Sequence, residues 1–191
     1  MIADYVDATF LTNHDQNRIA SELKGDTAKL KLAASILMTL PGTPFLYYGE
    51  EIGMQGQKPD EQIREPMIWY EPGTTINGQT NWQKIIYNTP AKIKSAATQW
   101  KDANSLLNHY KELIFIRKTQ AALTNGEFSW LSFEGQPKPL FGYMRKLENK
   151  ICFIFHNLSK KPIKFDWIPV EENGVVYNHK SQFENKEKKS K

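Results

Sequence analysis

A histidine and an aspartate stand next to each other near the start of the chain, directly after a short apolar run. The run covers residues 8–11, and Thr12, Asn13, His14 and Asp15 follow it. A strand that stops there places an imidazole and a carboxylate at the end of a rigid element, where active sites are usually built. The carboxylate can accept hydrogen bonds from two adjacent hydroxyls, and the imidazole can donate one. These groups suit a sugar ligand, although an Asn-His-Asp tripeptide by itself is more often a polar loop.

The elements that would position this cluster follow the pattern of parallel α/β structure. Residues 8–12 predict a strand, and Asp26 can cap a helix that runs to about Leu40. Residues 45–48 form an unbroken apolar run that is typical of a strand covered on both faces. Strand, helix and strand together predict one βαβ unit.

A long polar segment and a second helix come next. Residues 49–101 are rich in Gly, Pro, Asn and Gln, and connections of that length tend to be functional. Residues 91–100 predict a short helix within this segment. Asp102 or Asn104 can cap a longer helix that runs to about Ala122.

The hydrophobic period changes from 3.6 to 2 after residue 123. The pattern predicts short strands at residues 127–133, 140–147, 151–157, 163–167 and 175–177. Consecutive strands without helices between them predict a small antiparallel β-sandwich. We therefore divide the chain into an α/β part at residues 1–123, an all-β part at residues 124–184 and a basic tail at residues 185–191.

Composition and charge exclude several classes of protein. Hydrophobic residues make up 40% of the chain and charged residues 24%, which is ordinary for a globular protein. The formal net charge is +4, but residues 186–191 hold four Lys and one Glu, which leaves only +1 for the rest. A nucleic-acid partner would require a basic face on the folded part, so we predict none.

Four segments in the same order resemble the α-amylase family of glycoside hydrolases. Residues 12–18 read Thr-Asn-His-Asp-Gln-Asn-Arg, and residues 41–54 are similar to the segment at the eighth strand of the family's (β/α)8 barrel. Residues 64–69, Arg-Glu-Pro-Met-Ile-Trp, look like the segment after that strand. Residues 105–118 are similar to the last barrel helix. The all-β part fits the family's C-terminal domain by position and pattern only.

The resemblance implies a role for each residue of the polar cluster. Asp15 corresponds to the one of three essential acids that follows the seventh barrel strand, and it would stabilise the transition state. His14 would donate a hydrogen bond to the same sugar, and Asn13 would be a further substrate-binding residue. Arg18 would either reach a sugar hydroxyl or neutralise Asp15.

Length places a limit on this resemblance. A (β/α)8 barrel takes about 250 residues, whereas only 14 residues precede Asp15 here. The predicted fold is therefore the last two βα units of an incomplete TIM-type barrel, followed by the sandwich. The family's nucleophile Asp and proton-donor Glu follow the fourth and fifth strands, which this chain does not contain. We accordingly expect the chain alone to be inactive.

The predicted function is that of a C-terminal part of a retaining hydrolase of α-1,4-linked glucans. Within enzymes, an oligo-1,6-glucosidase or a neopullulanase-like hydrolase is the alternative. Outside enzymes, the alternative is an amylase-like protein that binds glycans or assembles without cleaving any bond. The expected partners are an α-glucan or malto-oligosaccharide and the missing N-terminal part of the barrel.

The sequence predicts neither a cofactor nor a membrane span. No metal-ligand spacing is visible, although the parent enzyme could bind calcium as family members often do. Cys152 is the single cysteine, and no apolar run reaches the roughly 18–20 residues of a membrane helix. The first residues lack the basic and apolar regions of a signal peptide, so localisation and secretion of the parent enzyme stay open.

Overall fold

The computed structural model describes residues 7–71, 73, 78–133 and 135–165 in full, and the backbone of residues 169–172 and 175–178. It divides the chain into two compact units, residues 1–126 and residues 127–191. The basic tail predicted at residues 185–191 lies outside the described residues, as does the end of the all-β part at residue 184.

The first unit contains a pair of parallel strands. β1 (Ala8–Phe10) pairs in parallel with β2 (Thr43–Phe45). Parallel strands need a crossover connection, which here contains α1 (Ile19–Glu22) and α2 (Thr27–Thr39). The predicted strand–helix–strand unit is therefore confirmed.

The start of α2 follows from its capping residue. Asp26 is extended, and its side chain accepts hydrogen bonds from the backbone amides of Ala28 and Lys29 at 3.1 and 3.2 Å. These bonds satisfy donors that a helix N-terminus leaves unpaired, which is worth about 1 kcal/mol. Leu40 is extended again and ends the helix directly before Pro41.

A helical layer covers one face of this unit. α5 (Leu106–Thr119) begins at Ser105, whose hydroxyl accepts from the Asn108 amide, and it packs against α2. The buried side chains of this cluster are Ala20, Leu30, Ala34, Met38, Leu106, Tyr110 and Leu113. Burial of each large aliphatic side chain contributes about 1.5–3 kcal/mol, so this cluster is a major source of stability.

The strand pair is less covered than the sequence predicts. The apolar run at residues 45–48 predicts a strand buried on both faces, but β2 ends at Phe45. Phe10 and Phe45 lie opposite each other in the register and are 45% and 56% exposed. A strand is covered on both faces only when neighbouring strands and helices pack on it, and the described part of the unit provides no second layer over this pair.

The long connection between β2 and α5 is mostly irregular but has its own core. It contains a 3-10 turn (Glu50–Ile52) and two short helices, α3 (Asp60–Ile63) and α4 (Ala96–Lys101). The helix predicted at residues 91–100 therefore begins later than expected. A second cluster of buried side chains joins distant parts of the segment, namely Ile52, Met54, Met67, Ile68 and Ile93.

The last helix of the first unit is broken where the sequence predicts a continuous one. α5 ends at Thr119, Gln120 is extended, and α6 (Ala121–Asn125) follows. The Thr119 hydroxyl donates to the carbonyl of Phe115 at 2.9 Å. A back-bonded threonine of this kind often bends a helix, and helical spacing of apolar residues does not reveal it.

The second unit begins with an antiparallel meander. β3 (Glu127–Leu131), β4 (Leu140–Leu147) and β5 (Lys150–Asn157) pair in chain order. Gly142 lies opposite Phe155, and a Cβ at this glycine would lie 2.8 Å from the Phe155 ring. The aromatic side chain therefore packs over the glycine in the middle of the sheet.

A hairpin follows the meander. β6 (Pro169–Glu172) and β7 (Val175–Asn178) pair in antiparallel fashion as a separate two-stranded sheet. The strand predicted at residues 163–167 is not formed at 163–165, and its remaining residues lie outside the described part of the chain. A small antiparallel sheet is thus present, and the sandwich stays a prediction.

Candidate functional site

The polar cluster at the end of β1 is ordered by a turn of its own. The Asn13 side-chain oxygen accepts a hydrogen bond from the Asp15 backbone amide at 2.9 Å, which is an Asx turn. Thr12, one residue earlier, is buried, and its hydroxyl donates to Glu50 at 3.2 Å. This contact shapes the turn before Asp15, and the role of Asn13 as a substrate-binding residue stays a prediction.

His14 and Asp15 lie together at the surface, as the sequence predicts. His14 Nε2 and Asp15 Oδ2 are 3.2 Å apart, and the two side chains are 63% and 60% exposed. Asp15 borders an open depression of about 410 Å³ together with Thr12, Asn17 and Lys58. A carboxylate and an imidazole are thus both accessible to a hydroxyl-rich ligand from solvent.

The cation beside Asp15 is Arg64, which the sequence reasoning did not assign to the site. Arg64 Nη2 donates to Asp15 Oδ1 at 3.1 Å and to Asp60 Oδ2 at 2.8 Å, and its Nε donates to the His14 carbonyl at 3.2 Å. Its position within the Arg-Glu-Pro-Met segment is the signal that could have identified it. Arg64 therefore contacts both residues of the predicted pair.

Arg18 lies beneath the site and not in it. Its side chain is 1% exposed, with Nε donating to the Ile63 carbonyl at 2.7 Å and Nη1 to the Tyr48 carbonyl at 2.6 Å. The guanidinium also packs on the rings of Tyr47 and Tyr48, 4.4 and 4.7 Å from their centroids. The sequence predicts that Arg18 reaches a sugar or neutralises Asp15, but a buried guanidinium committed to two carbonyls is not open to a ligand here.

A buried carboxyl supports the end of β1 from below. Glu50 is almost fully buried and accepts hydrogen bonds from the hydroxyls of Tyr110 at 2.9 Å and Thr12 at 3.2 Å. Burial raises the pKa of Glu50 to about 7, and the two hydroxyl donors limit that rise. Glu50 thus connects α5 with the residues that lead into His14 and Asp15.

Asp60 completes the charged groups around Arg64. It accepts from Lys58 as well as from Arg64. The hydrogen bond from Lys58 lowers the pKa of Asp60, and the positive charges of Lys58 and Arg64 add to this effect. An exposed carboxyl with a lowered pKa is a poor proton donor at neutral pH.

The described residues hold no cluster of metal-binding side chains and no membrane-crossing helix. In the part of the chain that the structure describes, no three His, Cys, Asp or Glu side chains gather closely enough to hold a metal. None of the helices formed by these residues is both long and apolar enough to span a bilayer.

Comparison with known proteins places this geometry in context. Residues 1–126 match the family model described as alpha amylase, catalytic domain. The chain is 41% identical to alpha-amylase 3 of Dictyoglomus thermophilum, over 91% of this chain and 34% of the relative. It is 36% identical to a 4-alpha-glucanotransferase of Thermotoga neapolitana, over 88% of this chain and 38% of the relative.

A solved structure agrees with these sequence matches. The alpha-amylase from H. orenii superposes with a TM-score of 0.77 at 37% identity, covering 91% of this chain and 38% of that protein. The chain therefore spans about a third of the length of the curated relatives that it matches.

Proposed function

We propose that Asp15 is the transition-state stabiliser of an enzyme that cleaves α-linked glucans with retention, because the chain belongs to the α-amylase family of glycoside hydrolases. The observation that carries the proposal is an exposed Asp15 carboxylate in the turn that follows β1, held between His14 and Arg64. The remaining acids of the site would come from a part of the barrel that this chain does not supply.

The contacts of Asp15 suit a stabilising role. Among the described residues, each carboxylate oxygen has one polar neighbour, Arg64 on Oδ1 and His14 on Oδ2. A carboxylate oxygen can accept more than one hydrogen bond, so both oxygens can still receive sugar hydroxyls. Such bonds strengthen as positive charge develops at the anomeric carbon, which lowers the barrier.

The neighbouring carboxyls do not suit the two other roles of a retaining mechanism. That mechanism needs a nucleophile and a proton donor about 5–5.5 Å apart. Glu50 has a raised pKa but is buried behind Thr12 and Tyr110. Asp60 is accessible, yet its pKa is lowered by Lys58. We therefore propose that the chain alone is inactive.

The open face of the strand pair supports a partner for the first unit. Phe10 and Phe45 present apolar rings on a two-stranded sheet, and uncovered apolar faces of this kind mark interaction sites. The occupant proposed here is the N-terminal part of a (β/α)8 barrel, because the curated relatives are about three times as long as the matched region.

The preferred glucan linkage is the finer part of the proposal. The motifs at residues 12–18 and 64–67 are more similar to those of bacterial amylases and oligosaccharide-cleaving relatives than to those of branching enzymes. The proposed substrate is an α-1,4-linked glucan, with oligo-1,6-glucosidase or neopullulanase-like activity as the alternative. A relative named 4-alpha-glucanotransferase also matches, so water and a second sugar are both candidate acceptors.

A second candidate function is glycan binding without cleavage. The exposed His14 and Asp15 could bind sugar hydroxyls, while the described neighbouring carboxyls provide no suitable acid and base. Under this alternative the chain would bind a malto-oligosaccharide, and no combination with other barrel segments would give hydrolysis.

A chimera separates these possibilities. The region of Dictyoglomus thermophilum alpha-amylase 3 that precedes the match would be joined to residues 1–191, and release of reducing sugar from starch would be measured. We expect activity that Asp15→Asn abolishes and that the matched surface variant Asp102→Asn leaves intact. Starch hydrolysis by the chain alone that depends on Asp15 would contradict the proposed inactivity, and a folded chimera without activity would favour binding only.

A further inference from the structure

Glu65 is a buried carboxylate that binds one segment of the long loop. Its side chain is 0% exposed. It accepts hydrogen bonds from the backbone amides of Ile86, Tyr87 and Asn88 at 2.7, 2.9 and 3.1 Å, and from the Asn88 side chain at 2.8 Å. A buried carboxylate needs such donors to replace the water it has lost, so Glu65 strongly orders residues 86–88.

Asn88 extends this contact to a third segment. Its side-chain oxygen accepts from the Gln55 amide at 2.7 Å, and its side-chain nitrogen donates to the Gln55 carbonyl at 2.8 Å and to Glu65. Both amide hydrogens and the oxygen of Asn88 are therefore in use. The amide group cannot rotate without breaking at least two of these bonds.

The backbone on both sides of Arg64 is bonded to side chains from the first βα unit and the following turn. Arg18 donates to the carbonyl of Ile63, and the Tyr48 hydroxyl donates to the carbonyl of Glu65 at 2.9 Å. With the Glu65 side chain bound to residues 86–88, the residues flanking Arg64 are held from two directions. From this fixed backbone the Arg64 side chain extends toward Asp15 and His14.

This support matters because the contact between Arg64 and Asp15 is exposed. Their side chains are 43% and 60% exposed, and an ion pair between exposed groups contributes only about 0–1 kcal/mol. Such a pair cannot by itself keep a carboxylate in one orientation. A catalytic group is held in place by a rigid shell behind it.

We propose that Glu65 is a positioning residue for Asp15, acting through Arg64: its buried carboxylate fixes the backbone from which the Arg64 guanidinium reaches Asp15 and the His14 carbonyl. The inference concerns the same site and rests on the proposed function for its catalytic meaning. The geometric part can be tested without any activity.

Glu65→Gln is the informative substitution. Glutamine has nearly the same shape, but its amide nitrogen would face N–H donors where Glu65 has an acceptor oxygen. Asn88 cannot compensate by rotating, because Gln55 holds its amide. The variant should therefore loosen the loop and free the Arg64 side chain without removing volume from the core.

The readout is the Arg64 Nε–H group, which donates to the His14 carbonyl. Its hydrogen exchange would be followed by NMR on the ¹⁵N-labelled chain, with the resonance assigned through its loss in Arg64→Lys. We expect exchange about tenfold faster in Glu65→Gln, as for the loss of one hydrogen bond. The matched control is Glu71→Gln, since Glu71 also binds loop groups, the Ser95 amide and the Thr98 hydroxyl, but none at Arg64.

A second variant covers the case in which Glu65→Gln does not fold. Tyr48→Phe removes only the hydroxyl that donates to the Glu65 carbonyl and keeps the ring beneath Arg18. It should also speed Arg64 Nε–H exchange, by about threefold. Unchanged exchange in the folded variants, or an equal change in Glu71→Gln, would overturn the proposal.

Maltotriose binding separates this inference from the proposed function. Titration of the chain would be followed at the His14 and Asp15 amides, and Glu65→Gln should weaken binding about fivefold relative to Glu71→Gln. Faster Arg64 exchange together with binding equal in both variants would refute the link to Asp15. Absence of binding in the unmodified chain would count against the proposed sugar contacts, while the exchange data would still decide the positioning role.

Discussion

Two carboxyls close to the end of β1 occupy opposite environments. Asp15 is exposed and is bounded by Arg64 and His14. Glu50 is buried, and its hydrogen-bond donors are the hydroxyls of Thr12 and Tyr110. Because Asp15 is exposed, it can bind a ligand, but its contacts contribute little stability. Because Glu50 is buried, its hydrogen bonds fix the surrounding residues, but ionising its carboxyl costs free energy. The accessible group thus depends on inaccessible ones for its position.

The largest expected effect is on the free energy of unfolding when the buried Arg18 is replaced. Arg18→Met keeps most of the side-chain volume but leaves the carbonyls of Ile63 and Tyr48 without their donors. We expect the free energy of unfolding to fall by about 3–5 kcal/mol, measured by urea unfolding in dilute solution. The matched control is Lys29→Met on the exposed surface of α2, with an expected change within about 0.5 kcal/mol. A loss below about 1 kcal/mol for Arg18→Met would show that the hydrogen bonds of Arg18 to these two carbonyls contribute less stability than their burial indicates.

A second effect depends on pH. The pKa of Glu50 is about 7 in the folded chain, against an ordinary value of 4.5. Below pH 4.5 the Glu50 carboxyl is protonated in both the folded and the unfolded state, so its ionisation does not lower the stability. Between pH 4.5 and 7 the unfolded state loses its proton first, so stability falls as the pH rises, and above pH 7 the loss of about 3 kcal/mol is complete.

Glu50→Gln tests this dependence because glutamine never ionises and can still bond both hydroxyls. The variant should match the unmodified chain near pH 4 and exceed its stability by up to about 3 kcal/mol at pH 8. Glu71→Gln should behave in the opposite sense, since the Thr98 hydroxyl and the Ser95 amide lower the pKa of Glu71. A gain for Glu50→Gln that is equal at pH 4 and pH 8 would mean that the Glu50 carboxyl does not titrate differently on folding.

Tyr110→Phe should have a moderate effect. It removes one of the two hydroxyls that bond Glu50 and leaves a buried oxygen with fewer donors. We expect a loss of about 1–2 kcal/mol at pH 8 and a smaller loss at pH 5, where the carboxyl is largely protonated. The same loss at both pH values would separate Tyr110 from the charge of Glu50.

The smallest effect on stability is expected at the exposed carboxyl itself. Arg64→Gln and Asp15→Asn should each lower the free energy of unfolding by less than about 1 kcal/mol. High salt should reduce the difference further, because exposed charges are screened. A loss above about 2 kcal/mol would contradict the contrast between the exposed and the buried carboxyl.

The sequence predicted the family and the coarse α/β architecture because both depend on local signals. The Asn-His-Asp cluster at a strand end, the Asp26 cap and the apolar spacing of α2 are all readable within a few residues. The family resemblance is confirmed by the match over residues 1–126. The roles assigned to His14 and Asp15 remain proposals.

The sequence could not predict contacts between distant segments. Arg18 and Arg64 are both arginines near family-like motifs, and only the fold decides which one is buried and which one reaches Asp15. The four hydrogen bonds of Glu65 likewise join segments about twenty residues apart, three through backbone amides and one through the Asn88 side chain. Periodicity carries no information about such pairings.

The parallel pairing of β1 with β2 has a consequence for the order of folding. Phe10 cannot reach Phe45 until the intervening chain is compact, so the entropy of closing that loop is lost before the strands gain a single bond. α2 lies within that loop and forms from local contacts with its own cap. We therefore expect the helix to form before the sheet, and the strand end that precedes Asp15 to be completed only after α2 has docked.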